Sequence, residues 1–187
     1  MLPIFKNKVS SLRLHFFAIF MAMINYFPVS AQKGIVWDEN QHLEWTDYKG
    51  KVPLSTMAAT TACKITLDIS CYEDRVTYKV KAMMVPEQSW VKKSLANANL
   101  LDHERLHFAI AELYARKIRK DFASIRTDCH HLQVYDVIMK KYIKEMNSIQ
   151  YQYDVETEHG TKDSMYPQWQ SKIYDELENL KGYSSIP

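Results

Sequence analysis

The sequence predicts an α+β fold in which a small antiparallel β-sheet precedes one long helix and two further helices. Three observations predict it. Two neighbouring stretches alternate apolar and polar residues with the period of half-buried strands, three later stretches repeat apolar residues at helical spacing, and no strand-helix-strand alternation separates them.

In chain order, Ile35-Val36-Trp37 and Leu43 to Tyr48 read as short extended segments, and Lys49-Gly50 with Pro53 marks a turn or loop. Cys63, Ile65, Leu67, Ile69 and Cys71 then fall on one face of a strand, with Lys64, Thr66, Asp68 and Ser70 on the other. After the polar break at Glu73-Asp74, Val76, Tyr78, Val80, Ala82 and Met84 alternate with Thr77, Lys79 and Lys81, so the two runs should form an antiparallel hairpin ended by Pro86. From about Ser94 to Phe122, Leu100, Leu101, Phe108, Ala111, Tyr114, Ala115 and Ile118 recur at helical spacing. A second helix is expected from about His130 to Gln150, carrying Leu132, Tyr135, Ile138, Met139, Tyr142, Ile143 and Met146 on its buried side, and a third from about Pro167 to Leu180.

Composition narrows the function classes. With 47% apolar and 25% charged residues the chain is an ordinary globular one, and a net charge of +2 demands no acidic partner. The basic run Arg116, Lys117, Arg119, Lys120 reads as a solvated helix face. There is no basic patch interleaved with aromatics, no helix-turn-helix signal and no phosphate-cradling glycine loop, so nucleic acid and nucleotides are not expected partners.

Residues 1–31 have the order of a signal peptide: Lys6, Lys8 and Arg13, an apolar stretch from Leu14 to Ile24, then Pro28 and Val29-Ser30-Ala31 before Gln32. The apolar run is short for a membrane span, and no cysteine near the junction offers a lipid anchor. The expectation is one mature domain, 32–187, exported to the periplasm or secreted, without stable membrane insertion once the segment is cleaved; an uncleaved anchor is the alternative. Cys63, Cys71 and Cys129 form no C-x-x-C motif. Cys63 and Cys71 share a strand and are too far apart to bond, so either could pair with Cys129, leaving one thiol over.

The chemistry centres on Asp102-His103-Glu104-Arg105-Leu106-His107-Phe108, which contains H-E-x-x-H within the first helix. One turn apart, His103 and His107 project from the same face, and Glu104 lies at the edge of that arc. Two neutral imidazoles can share a Zn²⁺ ion that keeps a position open for water, with Glu104 as general base. The longer H-E-x-x-H-x-x-G-x-x-H pattern fails, because Ile110 and Leu113 stand where glycine and histidine are needed. A third ligand is sought downstream, in Tyr153-Asp154-Val155-Glu156-Thr157-Glu158-His159-Gly160, expected just beyond the second helix. His159 is the first choice, with Asp154, Glu156, Glu158 and the mid-helix Glu145 as oxygen alternatives. His42 and the pair His130-His131 are assigned to a surface turn and a helix start, and Tyr151 and Tyr153 to packing rather than to catalysis.

Several segments in order, Leu43-Glu44-Trp45-Thr46-Asp47-Tyr48-Lys49-Gly50, Ser89-Trp90-Val91, His103 to Phe108, Tyr153 to Gly160 and Gln168-Trp169, resemble the bacterial domain of unknown function 922. That resemblance implies a secreted, zinc-dependent, zincin-like protease acting on polypeptides, with His103 and His107 as ligands, Glu104 as base and His159 as the last ligand. The rival expectations are a non-catalytic envelope binding module with a structural metal site and a metal-dependent amide hydrolase acting on cell-wall material.

Overall fold

The computed structural model describes residues 34–126 and 129–184, so the expected signal segment lies outside the described residues. The architecture is the α+β arrangement expected. Strand β1 (Ile35–Val36) pairs antiparallel with β4 (Arg75–Met84), which pairs in turn with β3 (Cys63–Tyr72). The β3–β4 register runs from Cys63 opposite Met84 to Tyr72 opposite Arg75. Glu73 and Asp74 close this hairpin with φ of 46° and 59°, the left-handed conformation that two-residue hairpin turns require. A second, two-stranded sheet joins β2 (Ala59–Thr60) to β5 (Trp90–Val91).

Helix α1 (Ala98–Ser124) is the spine of the molecule. Asn97 caps it, its side chain accepting from Leu100 N at 2.9 Å, which satisfies one of the free amides of the first turn. One side packs on β3 and β4, where Ile65, Val80, Ala82 and Met84 are buried, and others meet α2 (Gln133–Glu156) and α3 (Tyr166–Asn179). Covered on so many sides, α1 buries Ala109, Ile110, Ala111 and Leu113 in succession instead of a single stripe.

Three expectations change. Leu43 to Tyr48 is not extended: Trp45–Asp47 forms a 3-10 turn, because the Asp47 carboxylate accepts from Glu44 N at 2.8 Å in a capping box. The basic run is not a solvated face either. Arg116 and Arg119 are buried, since α1 is roofed there by the C-terminal segment; Arg116 donates to Glu112 and to Leu177 O, and Arg119 to Glu112 and to Val80 O, while Lys120 stays exposed. Finally, α2 continues to Glu156 instead of ending near Gln150, which turns the acidic segment from a loop into the last turns of a helix.

Cys71 and Cys129 form a disulfide with Cα atoms 5.7 Å apart, tying the hairpin tip to the α1–α2 connection, and Cys63 is the remaining thiol. Among the described residues no helix is long and apolar enough to cross a membrane.

Candidate metal centre

His103 and His107 sit one turn apart on the buried side of α1, and Gln150 and Asp154 sit one turn apart on α2 facing them. His103 Nε2 lies 3.1 Å from His107 Nε2, and Asp154 Oδ1 lies 3.2 Å and 3.1 Å from these two nitrogens. Donor atoms held about 2.0 Å from a tetrahedral ion are about 3.3 Å apart, so the triangle has nearly the edge length that such an ion imposes.

The outer ring nitrogens decide what the inner ones present. His107 Nδ1 meets Gln150 Oε1, while Gln150 Nε2 donates to His107 O at 2.9 Å, which orients the amide and makes Nδ1 the protonated nitrogen. Thr157 Oγ1 gives its proton to Tyr153 O at 2.6 Å and is left to accept from His103 Nδ1 at 3.5 Å. In their neutral form the two imidazoles therefore turn unprotonated Nε2 atoms toward a carboxylate oxygen. In that form three acceptor atoms converge, and a shared proton or a cation must reconcile them.

The titration behaviour reflects this competition. Burial pulls His103 below the ordinary histidine pKa despite its hydrogen bond to Asp154. Burial acts the same way on His107, but the Asp154 hydrogen bond and the charge of Glu104 outweigh it and raise that pKa. Burial alone would raise Asp154, yet the hydrogen bonds from both histidines hold it well below the usual carboxylate range.

Around the triangle, the Tyr153 to Gly160 stretch divides its labour. Tyr153 is fully buried and stacks on His103 with ring centroids 4.5 Å apart, in keeping with a packing role. Glu158, His159 and Gly160 follow the helix with φ of 49°, 55° and 78°, a left-handed reversal that brings Gly160 against His103. A Cβ on Gly160 would lie 2.8 Å from His103 Cγ, so glycine is needed for both its backbone and its lack of a side chain.

His103, Glu104 and His107 are thus brought together as the sequence predicts. The third corner is Asp154, one of the oxygen alternatives, and His103, His107 and Asp154 form a group that could hold a metal ion. His159 stands at the rim, half exposed, with Nδ1 3.5 Å from Asp154 Oδ1. Glu145 and Glu158 are exposed, and Glu156 bonds Gln152 and Trp169 instead. Glu104 is buried, accepts from Thr61 Oγ1 at 2.6 Å, and lines with His159, Met57 and Asn147 a cavity of about 200 Å³ over the triangle. Gln150, Thr157 and Thr61 were not foreseen as site residues. Helical spacing from Asp154 would have found Gln150, but no local pattern identifies Thr61, which arrives from the turn before β3.

A family model described as a bacterial protein of unknown function, DUF922, matches residues 28–160. The match contains every residue of the triangle, Glu104 and His159, and stops short of α3. No curated protein and no solved structure matches the chain.

Proposed function

The chain belongs to the bacterial DUF922 family, and from that premise we propose that it is an exported zinc-dependent metallopeptidase in which His103, His107 and Asp154 hold the ion and Glu104 is the general base. One observation carries the reading: two imidazole nitrogens and a carboxylate oxygen lie within 3.2 Å of one another, open to a cavity that a buried glutamate also lines. Two imidazoles and one carboxylate, with space left for water, make the donor set that zinc takes in hydrolytic sites.

When bound, the ion would supply Lewis acidity and make water acidic enough to act as a nucleophile near neutral pH. The chain's own residues do the rest. Glu104 takes the proton from the attacking water and later hands it to the leaving amine. Gln150 and Thr157 hold the rings in the tautomer that presents Nε2, and Tyr153 walls the site from below. His159, expected from the sequence as a ligand, in this reading keeps the rim position facing the substrate. Export is supported by the N-terminal charge and apolar pattern and by the Cys71–Cys129 bond, a kind that persists in oxidising compartments.

The test combines metal content with hydrolysis of an unfolded protein such as fluorescently quenched casein. The expected result is about one zinc per chain, lost in His103→Ala, His107→Ala and Asp154→Ala but kept in His159→Ala and Glu104→Gln, with turnover in Glu104→Gln reduced by about 10²- to 10⁴-fold. No zinc in the metal-replete wild type, or full turnover in zinc-loaded Glu104→Gln, would overturn the proposal.

A further inference from the structure

We infer that Tyr48 and Thr61 are positioning residues for Glu104, forming a directed chain of hydroxyl groups that fixes which carboxylate oxygen faces the metal cavity. The inference rests on the reading of Glu104 as general base and gives work to two segments, 43–50 and 89–91, that the metal triangle leaves unused.

The geometry sets the direction of the chain. Thr61 Oγ1 lies 2.6 Å from Glu104 Oε2 and 2.6 Å from the Tyr48 hydroxyl oxygen. An ionised carboxylate only accepts, so the single Thr61 proton goes to Glu104, and Tyr48 must donate to Thr61. Tyr48 is suited to that part: burial first, and then the charge of Glu104, push its phenol well above the ordinary range, so it keeps its proton. Among the described residues Oε1 has no partner, which leaves it as the basic oxygen. A glutamate with three rotatable bonds would otherwise sample several rotamers, and a base works only within hydrogen-bond reach of the water it deprotonates.

Both hydroxyl residues hang from one buried anchor. Ser89 Oγ accepts from Ala62 N, next to Thr61, at 2.9 Å and donates to Val85 O at 2.8 Å. Its carbonyl accepts from Gly50 N, two residues past Tyr48, at 2.8 Å, and a Cβ built on Gly50 would lie 2.8 Å from that same oxygen. From the other side Arg105, inside the H-E-x-x-H motif, donates to Leu43 O and to the Glu44 carboxylate at 2.8 Å each. The helix that presents the base thus also grips the segment that presents Tyr48.

The experiment uses zinc-loaded wild type, Thr61→Val, Thr61→Ser and Tyr48→Phe, with quenched casein as substrate and zinc content as control. Loss of one hydrogen bond to a charged group should lower kcat by about tenfold to a hundredfold in Thr61→Val, with KM within about twofold and zinc unchanged. Thr61→Ser should recover most of it, and Tyr48→Phe should lose several-fold less than Thr61→Val. A second readout needs no turnover: in threonine-labelled protein the Thr61 hydroxyl proton should appear downfield and in slow exchange, move upfield in Glu104→Gln, and begin to exchange in Tyr48→Phe. Full kcat in Thr61→Val, no recovery in Thr61→Ser, or a hydroxyl proton indifferent to Glu104→Gln would overturn the inference. A wild type that shows the coupled proton but cleaves nothing would instead overturn the peptidase reading and leave the chain standing.

Discussion

The two ends of α1 hold two buried polar clusters built on opposite principles. Toward the C-terminus, Glu112 sits between Arg116 and Arg119, and Glu39 closes on Arg116, so two positive and two negative charges cancel within the protein. The guanidinium groups spend their remaining donors on carbonyls of Leu177, Val80 and Tyr183, which staples the C-terminal segment and the sheet to the helix. About three turns earlier, His103 and His107 face Asp154 of α2, and only a shared proton or a cation reconciles the three atoms. The arginine cluster balances its charges as folded, although Glu112 Oε2 is buried without a partner among the described residues, whereas the histidine cluster needs a shared proton or a cation. Burial of polar groups alone does not mark a functional site; the sign of the imbalance does.

Asp154→Ala should break this contrast most severely. Removing one of three protein ligands is expected to weaken zinc binding by about a thousandfold or more, and the rise in unfolding free energy that wild type gains from excess zinc, about 4 kcal/mol at a thousandfold excess over its Kd, should vanish. Urea titration with and without zinc measures both. The mirror variant is Glu112→Ala, which leaves two buried guanidinium groups short of their carboxylate. It should cost about 3 to 5 kcal/mol of stability while the zinc affinity of the folded protein stays unchanged. If Glu112→Ala altered zinc affinity, or Asp154→Ala left it intact, the division of α1 into a structural end and a ligand-binding end would be wrong.

The same division explains what could be read without coordinates. The hairpin, the three helices and the H-E-x-x-H face were legible, because period-two and period-3.6 patterns and a one-turn histidine spacing are local properties of the chain. The identity of the third ligand depended on where α2 stops. Tyr151 and Val155 are exposed and Tyr153 is buried, so the apolar pattern loses its helical contrast after Gln150, and Asp154 looked like a loop residue. Arg116 and Arg119 misled for a related reason: a basic run signals solvent unless something covers it, and the cover comes from residues more than sixty positions away. Thr61 was invisible for the same cause, since its partner Glu104 lies 43 positions along the chain.

A smaller effect probes the support of the site instead of its ligands. Gln150→Ala keeps the triangle but removes the acceptor of His107 Nδ1–H and the donor to His107 O. Zinc affinity should fall by about tenfold to a hundredfold, as loss of the partner that orients a ligating histidine usually does. Competition with a chelator of known affinity reads it directly. No change would mean that packing against Tyr153 alone holds the ring.

The smallest effect is graded with pH and separates the two clusters once more. Zinc must displace whatever proton His107 carries, and its pKa in the metal-free protein is raised by Asp154, Glu104 and Gln150. Binding strength is therefore full above that pKa and declines as pH falls through it, approaching tenfold per pH unit, with the onset above the ordinary histidine value of about 6.5. His103, lowered by burial, adds a second tenfold per unit only at more acid pH, and Asp154, held below the usual carboxylate range, does not contribute until later still. Between pH 7.5 and 6.5 the total loss should stay under about tenfold. Because Gln150 helps to raise His107, the onset should move toward acid in Gln150→Ala, whereas Glu112→Ala, touching only the self-neutralised end of α1, should leave it where it is. An onset below the ordinary histidine value in wild type would show that the imidazoles do not share the carboxylate in solution.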